Sequence, residues 1–182
     1  RERRRRIEAF NAESPILRKG LSLTPVKFGI SFTLTHLNQA GALVHVYTDG
    51  SVHLNHGGTE MGQGLYTKVA QVVAEEFGID ASSVRITATT TAKVPNTSAT
   101  AASSGADLNG MAAKQAASII RQRLTEFAAK AWKVPKSRIR FENGQVIIGN
   151  HSVAFGELAK KAHMARISMS STGFYATPKV AW

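Results

Sequence analysis

Between residues 42 and 78 the hydrophobic period changes twice, and no other stretch constrains the fold as tightly. Residues 42–56 read ALVHVYTDGSVHLNH. Leu43, His45 and Tyr47 alternate with Val44, Val46 and Thr48, and Asp49-Gly50 supplies the positive-φ turn of a tight hairpin. Residues 57–64, GGTEMGQG, then place four glycines in eight positions. Residues 64–78, GLYTKVAQVVAEEFG, adopt the helical period, with Leu65, Val69, Val72, Val73 and Phe77 on one stripe and Gly78 as the stop. The expected class is α+β, a mixed sheet with two main amphipathic helices in one domain over 1–182.

The remaining elements follow from the same rules. Residues 1–14 read as the end of a charged helix. Residues 27–34, KFGISFTL, alternate Phe28, Ile30, Phe32 and Leu34 and predict a strand. Residues 82–91 are rich in β-branched types and predict another. Residues 93–107 form a long turn-rich loop. The second helix, about 106–132, carries Leu108, Ala112, Ile119, Ile120, Leu124 and Phe127. A meander over 138–155 turns at Asn143-Gly144 and Gly149-Asn150. A short helix (156–165) and an extended segment (167–178) close the chain.

GGTEMGQG is not a nucleotide fingerprint: the glycine order is wrong for G-x-G-x-x-G, and the Gly-Lys-Ser/Thr of a phosphate loop is missing. The physics is related nonetheless. Free N–H groups and the positive end of a helix dipole point back into such a turn. Glycines 57, 58, 62 and 64 let backbone approach a ligand, and Gln63 adds an amide that donates and accepts. The alternative is a connector in which glycine only permits the turn. A second loop, 98–105 (SATAASSG), also precedes a helix, with Ser103 and Ser104 hydroxyls near the cap. If the two helices lie side by side, their N-termini could hold one anionic ligand.

Composition removes several classes. The 182 residues contain no cysteine, so no disulfide, thiol nucleophile or cysteine-ligated cluster lies within them. No apolar run approaches the ~20 residues of a membrane span, so no membrane partner is expected. RERRRRIEAF lacks the apolar core of a signal peptide, and a cytoplasmic setting is expected. The net charge of +11 raises the question of nucleic acid. Five of residues 1–6 are arginine, but Ile7 and Phe10 on one face, with Glu2 four residues before Arg6, also make an amphipathic helix end. Without interleaved aromatics or a known signature, no nucleic-acid partner is expected. The six histidines, 36, 45, 53, 56, 151 and 163, show no helical H-x-x-x-H, so no metal ligands are expected; His45 and His53 are candidate cross-strand neighbours. Glu60, Glu75, Glu76 and Glu157 are acid–base candidates by type alone, with Glu75 and Glu76 read as solvated surface.

Residues 28–68, FGISFTLTHLNQAGALVHVYTDGSVHLNHGGTEMGQGLYTK, together with VPNTSATAAS (94–103) and SSTGFYATP (170–178), closely resemble the molybdopterin-binding region of the xanthine dehydrogenase/aldehyde oxidase family. The likeness covers nearly the whole chain. FGISFT and TAAS look like the xanthine dehydrogenase versions, in the style of the bacterial molybdenum-binding subunit. The resemblance implies a molybdenum–molybdopterin cofactor. By motif, Met61, Gly62 and Gln63 would contact the pterin and Ser103 its tail phosphate, with Ser104 and Gly105 beside it. Gly105 stands where relatives often have serine. Phe32 would stack on a purine substrate and Thr33 hydrogen-bond it, with Leu34, Leu37, Ala101 and Ala102 lining the pocket.

The implied reaction is molybdenum-dependent hydroxylation of hypoxanthine or xanthine, with electrons leaving through 2Fe-2S clusters and FAD carried elsewhere in the full enzyme. The family's base glutamate belongs to a Gly-Glu-Pro-Pro motif. This chain has none, since Leu158 follows Gly156-Glu157, so no catalytic residue is expected in it. Both ends read as cut, and an internal fragment is expected, inactive and without cofactor on its own. The expected partners are the remaining segments of the molybdenum-binding subunit and an iron–sulfur/FAD subunit or domain. An aldehyde oxidase-type hydroxylase and, in a different class, a basic nucleic-acid-binding module stand as the alternatives.

Overall fold

The computed structural model describes residues 1–26 and 29–179. The hairpin forms where the alternation places it. Strand β1 (Gln39–Val46) and strand β2 (Val52–His56) pair antiparallel with Val44 opposite Leu54 and His45 opposite His53. Its even-numbered side chains, Ala40, Ala42, Val44, Val46, Val52 and Leu54, are buried. The predicted strand at 82–91 shortens to β3 (Val84–Ile86), parallel to β2, because a 3-10 turn at 81–83 precedes it. Of the strand predicted at 27–34, the described part, 29–34, does not form one. Lys27 and Phe28 lie outside the described residues, and residues 29–34 are irregular before a 3-10 turn at Thr35–Leu37. Asn38 replaces ladder pairing there: its side chain accepts from Phe32 N–H and donates to Phe32 O, both at 2.8 Å.

Helix α1 (Glu2–Glu13) carries an Arg4–Glu8 ion pair but buries no residue, so Ile7 and Phe10 do not form a core face. Helix α2 (Leu65–Phe77) buries Leu65, Val69, Val73 and Phe77, and ends at Gly78 in the left-handed region. Helix α3 (Gly105–Trp132) packs beside α2 and across the sheet. Its buried Ala112, Ala113, Ala116 and Ala117 remove side-chain bulk, so backbone can come close. Strand β7 (Ser170–Ala176) does so, and a Cβ at Gly173 would overlap the Ala112 carbonyl oxygen. The four-stranded sheet therefore runs β3-β2-β1-β7, closed against β1 by the chain's final extended segment.

A second sheet, β4 (Ile139–Glu142), β5 (Gln145–Ile148) and β6 (His151–Ala154), is the expected meander. Helix α4 (Phe155–Met164) packs on it through Phe155 and Leu158. Phe77 and Phe155 stack at 5.4 Å between ring centroids and join this unit to the main core. Glu76 is not the solvated residue expected: only 13% of its side chain is exposed, and Oε1 accepts from Ser118 Oγ at 2.8 Å and from Arg121 at 3.3 Å. The result is the α+β class with a mixed sheet.

Candidate functional site

Two small-residue loops, more than thirty positions apart in sequence, meet at the N-terminal ends of α2 and α3. Thr59 N–H donates to Thr100 Oγ1 at 2.8 Å and clasps them together. Between them opens a cleft of about 480 Å³, lined by Met61, Gln63, Leu65 and Lys68 on one side and by Thr100–Ser103, Gly105 and Ala106 on the other. Sequence reasoning named Met61, Gln63, Ala101, Ala102, Ser103 and Gly105 here. It missed Leu65, Lys68, Thr100 and Ala106. Lys68 lies one turn into α2 and brings a positive charge to the mouth; its position three residues after Leu65 on the helix was the available signal.

The glycines divide into two pairs with different work. Gly62 and Gly64 take φ of +97° and +74°, and a Cβ at either would meet open space. Glycine is required there by the backbone conformation rather than by packing, and neither residue lines the cleft. Gly57 and Gly58 are packed instead against the protein itself, where a Cβ would overlap Thr97 and the Asn109 and Leu65 side chains. Their role is to let the second loop and α3 close on the hairpin.

The start of α2 corrects another expectation. Glu60 carboxylate oxygens accept from the N–H groups of Gly62 at 2.9 Å, Gly64 at 3.0 Å and Tyr66 at 2.9 Å. Those N–H bonds, Tyr66 first, hold its carboxyl below the ordinary range. The positive end of α2 thus already holds an anion from its own chain. Gln63 also turns inward, accepting from Met61 N–H at 2.6 Å and donating to Thr59 O at 2.9 Å. Met61 projects outward, 67% exposed.

The start of α3 is open. Among the described residues no side chain caps it, and Ala102 and Ser103 ahead of it have φ of +53° and +54°. Ser103 is exposed at the cleft, whereas Ser104 is buried and its hydroxyl donates to Ala101 O at 3.0 Å. Residues 29–38 approach from the far side through Ser31 N–H donating to Ala102 O at 3.1 Å. Phe32, Thr33, Leu34 and Leu37 do not line the cleft; Leu34 is 59% exposed.

Behind the glycine run lies His56, fully buried, with Nδ1 accepting from Gly58 N–H at 3.1 Å. Burial pushes its pKa down to about 4, so the ring is neutral with its proton on Nε2. Its ring meets Tyr66 edge-on at 5.3 Å, and Tyr66 OH reaches Thr89 Oγ1 at 3.1 Å. These contacts fix the floor of the turn. His45 and His53 are the cross-strand neighbours expected, 6.3 Å apart. Burial lowers His53, with His45 and Lys93 adding to it. Among the described residues no group of three or more His, Cys, Asp or Glu is placed to hold a metal, and no helix is long and apolar enough to cross a membrane.

Comparison with known proteins identifies the family. The profile of the molybdopterin cofactor-binding domain matches residues 1–182. The chain is 47% identical over 180 residues to mouse (Mus musculus) xanthine dehydrogenase/oxidase, covering 99% of this chain and 12% of that protein. It is 44% identical over 181 residues to the nicotinate hydroxylase of Emericella nidulans, again 99% of this chain and 12% of the other. Among solved structures, the quinoline 2-oxidoreductase of Pseudomonas putida 86 superposes with a TM-score of 0.70 at 26% identity, over 78% of this chain and 19% of that one. The chain therefore spans about an eighth of the curated relatives it matches. On the match along its whole length, this chain belongs to the molybdopterin cofactor-binding domain family.

Proposed function

We propose that residues 1–182 form one α+β subdomain that holds part of the pterin cofactor of a molybdenum hydroxylase acting on hypoxanthine or xanthine. The single observation that carries the reading is the clasp between Thr59 and Thr100, which closes two helix-start loops around one cleft. Three features of that cleft support a flat anionic ligand. Lys68 supplies positive charge. The start of α3, which no side chain caps among the described residues, offers its first N–H groups to a phosphate. Ala101, Ala102, Gly105 and Ala106 keep its wall shallow.

When bound, the molybdenum–pterin group supplies the two-electron redox chemistry. This chain's residues bind and orient it. Met61 and Gly62 meet the ring from the α2 side, and Gln63 holds the turn from which they reach. Ser103 hydroxyl and the α3 N-terminus hold the anionic tail, with Gly105 beside them. Ser104 acts by fixing the loop from beneath, through Ala101. Phe32, Thr33, Leu34 and Leu37 are assigned to the substrate side, where they would face a purine across Ala101 and Ala102. The proton-accepting glutamate, the iron–sulfur clusters and FAD are assigned to other parts of the full enzyme, in a cytoplasmic setting.

The test uses the full-length enzyme that carries this segment. Purified protein should contain molybdenum and pterin in equal amounts and oxidise xanthine. Ser103→Ala should lower the pterin content. The similarity to a nicotinate hydroxylase gives the competing outcome: turnover of nicotinate with none of xanthine would keep the cofactor role and overturn the purine assignment.

A further inference from the structure

The cleft has two helix N-termini, but they are not equivalent. A helix N-terminus attracts negative charge, because its first N–H groups have no partner within the helix. At α2 that position is taken. Gly64, the N-cap residue, has no side chain to offer, and Glu60 reaches forward from four residues upstream to do the work. One carboxylate oxygen accepts from Gly62 and Gly64 N–H, and the other accepts from Tyr66 N–H. The positive φ values at Gly62 and Gly64 turn those N–H groups inward to it. At α3 the N-cap residue Ser104 makes no side-chain cap hydrogen bond, and among the described residues no carboxylate bonds the first N–H groups; Asp107, the acidic residue of that first turn, makes no such bond.

We propose that Glu60 is a positioning residue of this cleft, whose carboxylate fills the anion position at α2, fixes the Met61–Gly62–Gln63 turn, and so directs the anionic end of the ligand to α3 and Lys68. This rests on the reading of the cleft as a pterin site. Glu60 carries out the assignment through the backbone. It bonds to both residues flanking Gln63, and Gln63 in turn bonds to Met61 N–H and to Thr59 O. Thr59 is the residue clasped to Thr100. The ligand-facing turn is thus tied at both ends, and its charge is already balanced. An external anion at α2 would have to displace Glu60. One at α3 displaces no capping side chain among the described residues.

The full-length enzyme tests this with two variants and a control. Glu60→Gln keeps the shape but turns an NH₂ group toward backbone donors. It should retain about tenfold less pterin after dialysis than the parent, as the loss of a charged cap implies. Glu60→Ala opens the α2 position, so its cofactor-free form should bind one more inorganic phosphate than the parent, measured by calorimetry. Gln71→Gly, on the exposed middle of α2, weakens the helix without touching the turn and should leave both readouts unchanged. Wild-type pterin retention in Glu60→Gln overturns the proposal. Unchanged phosphate stoichiometry in Glu60→Ala does too, as does an equal pterin loss in Gln71→Gly, which would mark Glu60 as merely structural. A parent enzyme without pterin overturns the underlying reading instead.

Discussion

Thr59 N–H donates to Thr100 Oγ1 at 2.8 Å across 41 positions of sequence, and this bond ties together the two helix-start loops that share a cleft. Thr100→Val keeps the side-chain shape and removes the acceptor. A loss of about 1 kcal/mol in urea unfolding is expected. Amide exchange should quicken at residues 59–64, while α4 keeps its protection.

The two kinds of glycine should respond differently to alanine. Gly57→Ala fails because its Cβ meets Thr97. It should cost about 1–3 kcal/mol by overpacking, and Thr97→Gly should recover most of that loss. Gly64→Ala fails because of its backbone, at φ +74° with open space around it. Its cost of about 1–2 kcal/mol should persist in the Thr97→Gly background. A double-mutant cycle by chemical unfolding separates the two.

His56 makes stability depend on pH. Its folded pKa, about 4, lies below the ordinary 6.5 because burial disfavours the charged ring. The unfolded chain therefore binds the extra proton first, and stability falls as pH drops from 6.5 toward 4. Above 6.5 the contribution is fully present. The total fall amounts to about 3 kcal/mol. His56→Gln should flatten this part of the profile, measured as urea midpoints from pH 7 to pH 4.

Glu76 ties α2 to α3 through Ser118 and Arg121. Glu76→Ala should destabilise by about 1–2 kcal/mol, since the covered Ser118 hydroxyl loses its acceptor. Adding Ser118→Ala to that variant should cost little more. Additive losses in the cycle would show that the pair is not coupled.

Much of this architecture was legible without coordinates because it is local. The hairpin register follows from alternation and Asp49-Gly50, and α2 follows from its apolar stripe and the left-handed Gly78. The meander follows from its turn dipeptides. Residues 29–34 misled because alternating apolar residues describe a strand only if a partner edge is available. The edge of β1 that they would need pairs with β7 instead. The strand predicted at 82–91 was cut to three residues for a related reason: only Val84, Arg85 and Ile86 run alongside β2.

The site divides the same way. Sequence alone determined that glycine and small residues precede two helices, because backbone freedom and helix starts are properties of neighbouring residues. It also set the family, through long motifs. It did not determine what each polar group faces. Ser103 and Ser104 are adjacent and chemically identical, yet one faces the cleft and the other bonds Ala101 O in the core. Glu60, read only as a possible acid or base, serves as the cap of α2. Lys68 became a site residue only when α3 came to lie beside it. The direction of a side chain depends on which surfaces pack together, and packing joins residues that are distant in the chain. That is why the tertiary structure alone decided that Glu60 bonds the backbone at the start of α2 and that Ser103 lines the cleft.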